Sequence, residues 1–295
     1  MKTIVVFLLM AVSGFAQGIL LKDGKHIIAK ALKRSGDSIV ATNPAEGGGK
    51  EMTGDVGYPI AQIEKIEFPE PAQLKQVPDM ITQGKAAEAV GQLDAALRYY
   101  EGFRDAPGSY WADLSLLKGQ ALLALGRAND VESLAANVAR DATNPEIVLG
   151  ARAQAASCLT LKGEHAKALE IFEQVSKDAL RADTLAGAAI FKGRSHLALK
   201  QWEPALLSFL TVPVFYPEAK ALLPASMLGA GRAYFMLNDF DHAKNTLNDL
   251  LKTYANTPEA AEAKTELEKI ARKEKALEGP GGPEPANPKP TAQTP

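Results

Sequence analysis

The chain repeats itself, and no other feature of it restricts the fold as much. A unit at 162–175, KGEHAKALEIFEQV, has relatives at 90–103 (VGQLDAALRYYEGF), 125–138 (LGRANDVESLAANV), 199–212 (LKQWEPALLSFLTV) and 237–250 (LNDFDHAKNTLNDL). Aligned on one small or branched position, the units place Ala96, Val131, Ala168, Ala205 and Ala243 at separations of 35, 37, 37 and 38 residues. Four residues on stand Tyr100, Ala135, Phe172, Phe209 and Leu247, and twelve residues before stand Gly84, Gly119, Ala156, Gly193 and Gly231. A period in this range marks stacked supersecondary units, each of which buries its apolar face against a neighbour.

The spacings within a unit predict a helical hairpin. Ala168, Phe172 and Val175 lie at i, i+4 and i+7, on one helix face. The glycine falls in the preceding helix, where it costs about 1 kcal/mol against alanine, so its recurrence predicts two helix backbones in close approach. Leu161-Lys162-Gly163 and Leu237-Asn238-Asp239 are the turns between helices. Asn144-Pro145 and Thr257-Pro258 read as an N-cap followed by proline at the first helical position. Residues 261–277 form one more amphipathic helix rich in Glu and Lys, suited to the polar end that a stack of repeats needs.

These units resemble tetratricopeptide repeats. The best of them carries Gly193, Ala205, Phe209 and Pro217, the small, alanine, aromatic and proline positions of that pattern. The repeats are longer than the usual length of about 34 residues. The family's early large residue is mostly missing, and the second unit has Val131 and Ala135 where alanine and an aromatic are expected. The end of the array, Thr253 to Ala260, looks similar to periplasmic members that serve outer-membrane assembly and Tol-linked division. The resemblance covers about 200 residues. It implies a mainly α fold: a solenoid of about five hairpins with a capping helix over 71–278. A small SH3-like β-barrel is expected to precede it.

That barrel is expected at 17–70. Ile19-Leu20-Leu21 precedes an Asp23-Gly24 turn, Ile27 to Leu32 is a second apolar run, and Ser35-Gly36-Asp37 turns into Ile39-Val40-Ala41-Thr42. Gly47-Gly48-Gly49 is a loop, and Ile66 and Phe68 flank Glu67 in a last strand. Four or five short strands result, resembling the SH3-like modules of bacterial envelope proteins. A module of this size buries too little surface to stand alone, so it is expected to dock on the helices and cap them.

Residues 1–16 read as a cleaved signal peptide: Lys2, an apolar run from Ile4 to Val12, then Ser13, Gly14, Phe15 and Ala16. The run is too short for a bilayer core, which takes about 20 residues. A periplasmic or secreted protein is expected, without a lipid anchor, because no cysteine follows the cut. Residues 279–295 contain six prolines in seventeen positions and are read as a solvated tail.

Composition narrows the function. Lys and Arg total 33 against 35 Asp and Glu, a net charge of -2, which lacks the basic excess of a nucleic-acid binder. One cysteine excludes an internal disulfide framework, and four histidines offer little for a metal centre. His165, His196 and His242 lie far apart in helical units, and His26 in a strand. Asp239 and Asp241 read as helix-start residues, Cys158 as a buried small residue, and Trp111, Trp202, Tyr99 and Tyr100 as packing. There is no GxxxxGK[ST], HExxH or GxSxG motif. No enzyme and no cofactor are expected.

What remains is binding. In the repeat family the groove is faced by three positions of each first helix. Carried over, the middle one is Lys85, Gln120, Ser157, Arg194 and Arg232. The earlier one is Ile81, Leu116, Ala153, Ile190 and Leu228, and the later one Glu88, Leu123, Thr160, Leu197 and Phe235. The forked donors of arginine suit carboxylates of a peptide. Equally, the basic residues are solvated and the apolar ones buried against the next helix. The resemblance implies an envelope adaptor that binds a polypeptide partner on the concave face. The alternative is a structural subunit, joined to an oligomer or larger assembly through the β module and the solenoid edges.

Overall fold

The computed structural model describes residues 17–47 and 52–278. The signal peptide, part of the glycine loop and the proline-rich tail expected from the sequence lie outside the described residues. Seven strands come first: β1 (Gln17–Leu21), β2 (His26–Ala29), β3 (Ala31–Ser35), β4 (Ser38–Thr42), β5 (Ala45–Glu46), β6 (Asp55–Pro59) and β7 (Ile63–Glu67). They form two antiparallel sheets, β5-β2-β1-β7 and β3-β4-β6. Ile19 of β1 faces Ile27 on one side and Ile66 on the other, a row of buried β-branched pairs. The second apolar run, expected as one strand, is two. The chain bends at Lys30 and passes from one sheet to the other.

Eleven helices follow among the described residues. They are α1 (Gln73–Thr82), α2 (Ala86–Tyr100), α3 (Trp111–Ala124), α4 (Ala128–Asp141), α5 (Pro145–Leu161), α6 (His165–Asp178), α7 (Ala182–Ala198), α8 (Trp202–Phe215), α9 (Leu223–Met236), α10 (Phe240–Thr253) and α11 (Pro258–Glu278). This is the mainly α series of five hairpins and a terminal helix that the repeat implies. The caps are those read from the sequence. Asn144 Oδ1 accepts from the Glu146 amide at 2.9 Å, and Thr257 Oγ1 from the Ala260 amide at 3.2 Å. Asp239 caps α10 through the His242 amide.

The first hairpin is out of the register expected for it. In the other four, the aligned residues Val131, Ala168, Ala205 and Ala243 are wholly buried at the fourth position of their helix. The matching residue of α2 is Ala89, also wholly buried, and not Ala96. Twelve residues before it stands Val77, inside α1 and inaccessible to water, while Gly84 lies in the turn after α1 with φ 75°. Its true counterparts are the left-handed turn residues Gly126, Gly163, Lys200 and Asn238, spaced 42, 37, 37 and 38 along the chain. A slip of seven residues is two helical turns and returns to the same face, so the apolar pattern of α2 fits both registers.

The longer first interval has a structural cause. Residues 101–110 between α2 and α3 hold an extra 3-10 turn, Glu101–Phe103, and receive the β module. Phe68 packs edge-on against Tyr99, Tyr100 and Phe103, with ring centroids 6.1, 5.3 and 5.1 Å apart. Arg34 donates both ends of its fork to Asp105, and the Ile66 amide donates to the Pro107 carbonyl at 2.7 Å. Gly108 stands so close to β7 that a Cβ there would lie 2.3 Å from the Ile66 carbonyl oxygen. One apolar core runs from Ile19 and Ile66 through Phe68 and Val77 to Leu93 and Val131.

The chain divides into two compact units, one holding residues up to Cys158 apart from Thr82–Gly84, the other that turn and residues from Leu159 on. In the second unit the helical glycines work differently from expectation. The close approach is of a side chain, not of a second backbone. Phe209 of α8 lies between Gly193 of α7 and Gly229 of α9, and Leu247 of α10 lies over Gly231. In the first unit, Gln154 of α5 lies over Gly119 of α3 in the same way and donates to the Leu116 carbonyl at 2.6 Å.

Candidate functional site

The residues expected to face a groove divide by unit. In the first, Lys85 is the N-cap residue of α2 and Glu88 stands in the first turn of that helix, accepting from Gln92 at 3.5 Å. Neither is on a first helix, a consequence of the slipped register, and both leave the candidate site. In the corrected register the middle row passes through Pro78 and the later row through Ile81. Gln120 is partly buried on α3. Ser157 is 3% exposed and donates to the Ala153 carbonyl of its own helix at 2.9 Å, so it offers nothing to a partner.

In the second unit the expectation fares differently. Arg194 on α7 and Arg232 on α9 lie close enough for each charge to act on the other, and both feel Glu262 of α11. Their situations are opposite. Arg232 donates to Glu262 at 2.6 Å and to Glu266 at 2.9 Å. Burial works against its charge, but those two hydrogen bonds outweigh it and hold the guanidinium protonated. Glu266 is itself buried and also meets Lys269 at 3.1 Å. Arg232 is thus a structural tie between α9 and α11.

Arg194 carries no ion pair among the described residues. Its side chain is exposed to water and its guanidinium stands over the Phe191 ring, 4.8 Å from the centroid. Crowding by surrounding protein, together with the Arg232 charge, pushes its pKa down against the pull of Glu259 and Glu262. An arginine stays charged through such a shift. Arg194 is therefore an open cation on an aromatic platform, with donors free for an incoming acceptor.

The apolar rows are core. Leu116, Ala153, Ile190 and Leu228 are buried, and Leu123, Leu197 and Phe235 partly so. Phe235 rests against Phe240, with centroids 6.0 Å apart. Thr160 and Ser195 share a buried hydrogen bond of 3.0 Å. Sequence reasoning missed Phe191, Glu262 and Glu266. Their signal was the i, i+4 pair Glu262 and Glu266 on a helix read as merely polar, and an aromatic three residues before Arg194.

Other polar groups make local structure. Among the described residues no three His, Cys, Asp or Glu side chains are placed to hold a metal ion, and no helix is long and apolar enough to cross a membrane. A cavity of about 270 Å³ in the first unit is lined by Lys65, Arg104, Tyr110, Asp113, Thr143 and Asn144. Arg104 is already paired with Glu101 and Asp141 and stacks on Trp111.

Residues 225–257, which span α9, α10 and the turn before α11, match the tetratricopeptide repeat model. No curated protein sequence matches the chain. Among solved structures it is similar to a putative kinesin light chain from Podosopora anserina with nearly identical TPR-like repeats, at 18% identity over 61% of this chain and 92% of that one, TM-score 0.38. It is also similar to a tetratricopeptide repeat protein from Parabacteroides merdae ATCC 43184, at 17% identity over 70% and 76%, TM-score 0.37. A third is BtubC (BKLC) from P. vanneervenii, at 15% identity over 76% and 98%, TM-score 0.38.

Proposed function

We propose that this chain is a non-enzymatic adaptor of the cell envelope that holds a polypeptide partner on the first-helix face of its C-terminal hairpins. The observation that carries the reading is the contrast between two arginines one repeat apart. Arg232 is neutralised by Glu262 and Glu266, while Arg194 stands exposed on Phe191 with no carboxylate in ion-pair contact among the described residues. A fixed cation with open donors matches a carboxylate or backbone carbonyl of an extended chain, and stacked repeats present such positions to peptides. The match of residues 225–257 to a tetratricopeptide repeat supports the same reading. Export rests on the leader pattern of Lys2, the Ile4 to Val12 run and Ala16.

Affinity capture of envelope proteins, read by quantitative mass spectrometry, tests it. The wild-type chain recovers a partner that Arg194→Glu loses, and the two chains melt at the same temperature. Equal recovery by the Arg194→Glu chain contradicts the reading.

A further inference from the structure

Helix α8 breaks the rule that its neighbours obey. The second helices of these hairpins bury one face and show the other to water. In α8 the buried face is Ala205, Phe209 and Val212, and its outer face is largely apolar as well, with Ser208 and Thr211 turning their hydroxyls back onto the Pro204 and Leu207 carbonyls. Leu207 is 67% exposed, Val214 65% and Phe215 69%, with Leu210 half-buried between them. In hairpin register, the positions of Leu207 and Val214 are Glu170 and Lys177 on α6, and Asn245 and Lys252 on α10, all exposed. A helix with apolar residues on opposite faces is suited to burial on both.

Leu207, Leu210 and Val214 fall at i, i+3 and i+7, the seam by which one helix packs along another. We infer that this seam is where a second copy of the chain docks, with the two α8 helices antiparallel about a two-fold axis. Charge selects both the occupant and the direction. An axis crossing α8 between Leu210 and Thr211 exchanges the levels of Leu207 and Val214. Glu170 of each copy then meets Lys177 of the other, twice. Neither residue has an ion pair among the described residues, so both charges are available. In the parallel arrangement α6 faces α10 of the second copy, and Lys177 opposes Lys252, again twice. The seam spans two helical turns, about 10 Å. It offers a few hundred Å² per copy, less in total than the roughly 1,200 Å² of a stable specific interface. The dimer is therefore concentration-dependent.

Sedimentation equilibrium over a wide concentration range tests this, on protein purified from cells expressing the full 295-residue sequence. The wild-type mass rises with concentration toward twice the monomer. Leu207→Glu holds it at the monomer. Lys177→Glu and Glu170→Lys each weaken association by about tenfold or more, and the two together restore it. All three substitutions sit on water-exposed positions, and thermal melts confirm folded chains. A mass that stays monomeric overturns the proposal. So does an association indifferent to the charge swaps, which would place the contact elsewhere, including residues 1–16 or 279–295. Failure of the double swap to restore what each single swap removes also overturns it.

Discussion

Phe209 explains why two glycines stand where they do. Its ring, 1% exposed, fills the space that side chains at Gly193 and Gly229 would need. A methyl on Gly229 would lie 2.3 Å from the ring. Alanine gains about 1 kcal/mol of helix propensity, but overpacking a fixed ring costs about 1–3 kcal/mol or more. Gly229→Ala is therefore expected to lower the melting temperature, where propensity alone predicts a rise. Arg232 and Arg194 part in the same kind of experiment. Arg232→Ala leaves Glu266 buried with Lys269 as its remaining cation, at a cost of about 1–2 kcal/mol for a half-exposed tie. Arg194→Ala leaves stability unchanged and weakens partner binding. Tyr100 adds a pH dependence. Burial, then the charges of Tyr99 and Tyr110, push its phenol up to about 12 from 10.0. Above pH 10 the unfolded chain loses this proton while the folded chain keeps it, so stability falls as pH rises from 10 toward about 12. Tyr100→Phe should flatten that part of an alkaline stability curve.

At the scale of elements, the loop at 101–110 carries more than the periodicity disclosed. Hairpins three to five were legible because Ala168, Phe172 and Val175 and their counterparts repeat at nearly constant spacing with distinct residues. The first hairpin was not, because Ala89, Leu93, Ala96 and Tyr100 satisfy the same face two turns apart. Gly84, Gly126 and Gly163 held the correct spacing, but a glycine in a turn and a glycine under a side chain look alike in sequence. That slip placed Lys85 and Glu88 in rows to which they do not belong. Phe68, which follows β7, packs edge-on against Tyr99 and Tyr100 of α2 and against Phe103 of the added turn. Phe68→Ala is expected to cost about 3–5 kcal/mol. Hydrogen exchange should show β1 and β7 opening together with α2, whereas independent opening of the strands would mean that the module folds on its own.

For the whole molecule, a repeating sequence announced its architecture and withheld its site. Repetition specifies the residues that every hairpin needs, which are core. A binding residue is one that departs from the repeat, as Arg194 does by making no ion pair with the α11 carboxylates that hold Arg232. Distance between helices decides that difference, and spacing along the chain does not encode it. The tie to Glu262 and Glu266 also predicts that deleting α11 both destabilises α9 and leaves Arg232 as open as Arg194. A chain cut after Tyr254 should then bind acidic peptides more tightly, provided it remains folded, as a fluorescence titration would show. Hydrogen–deuterium exchange of the full chain with and without its captured partner tests whether the partner sits at Arg194. New protection is expected in α7 and α9 around Arg194, with β1 to β7 unchanged. Protection confined to the β module, with α7 and α9 exchanging as before, would contradict it.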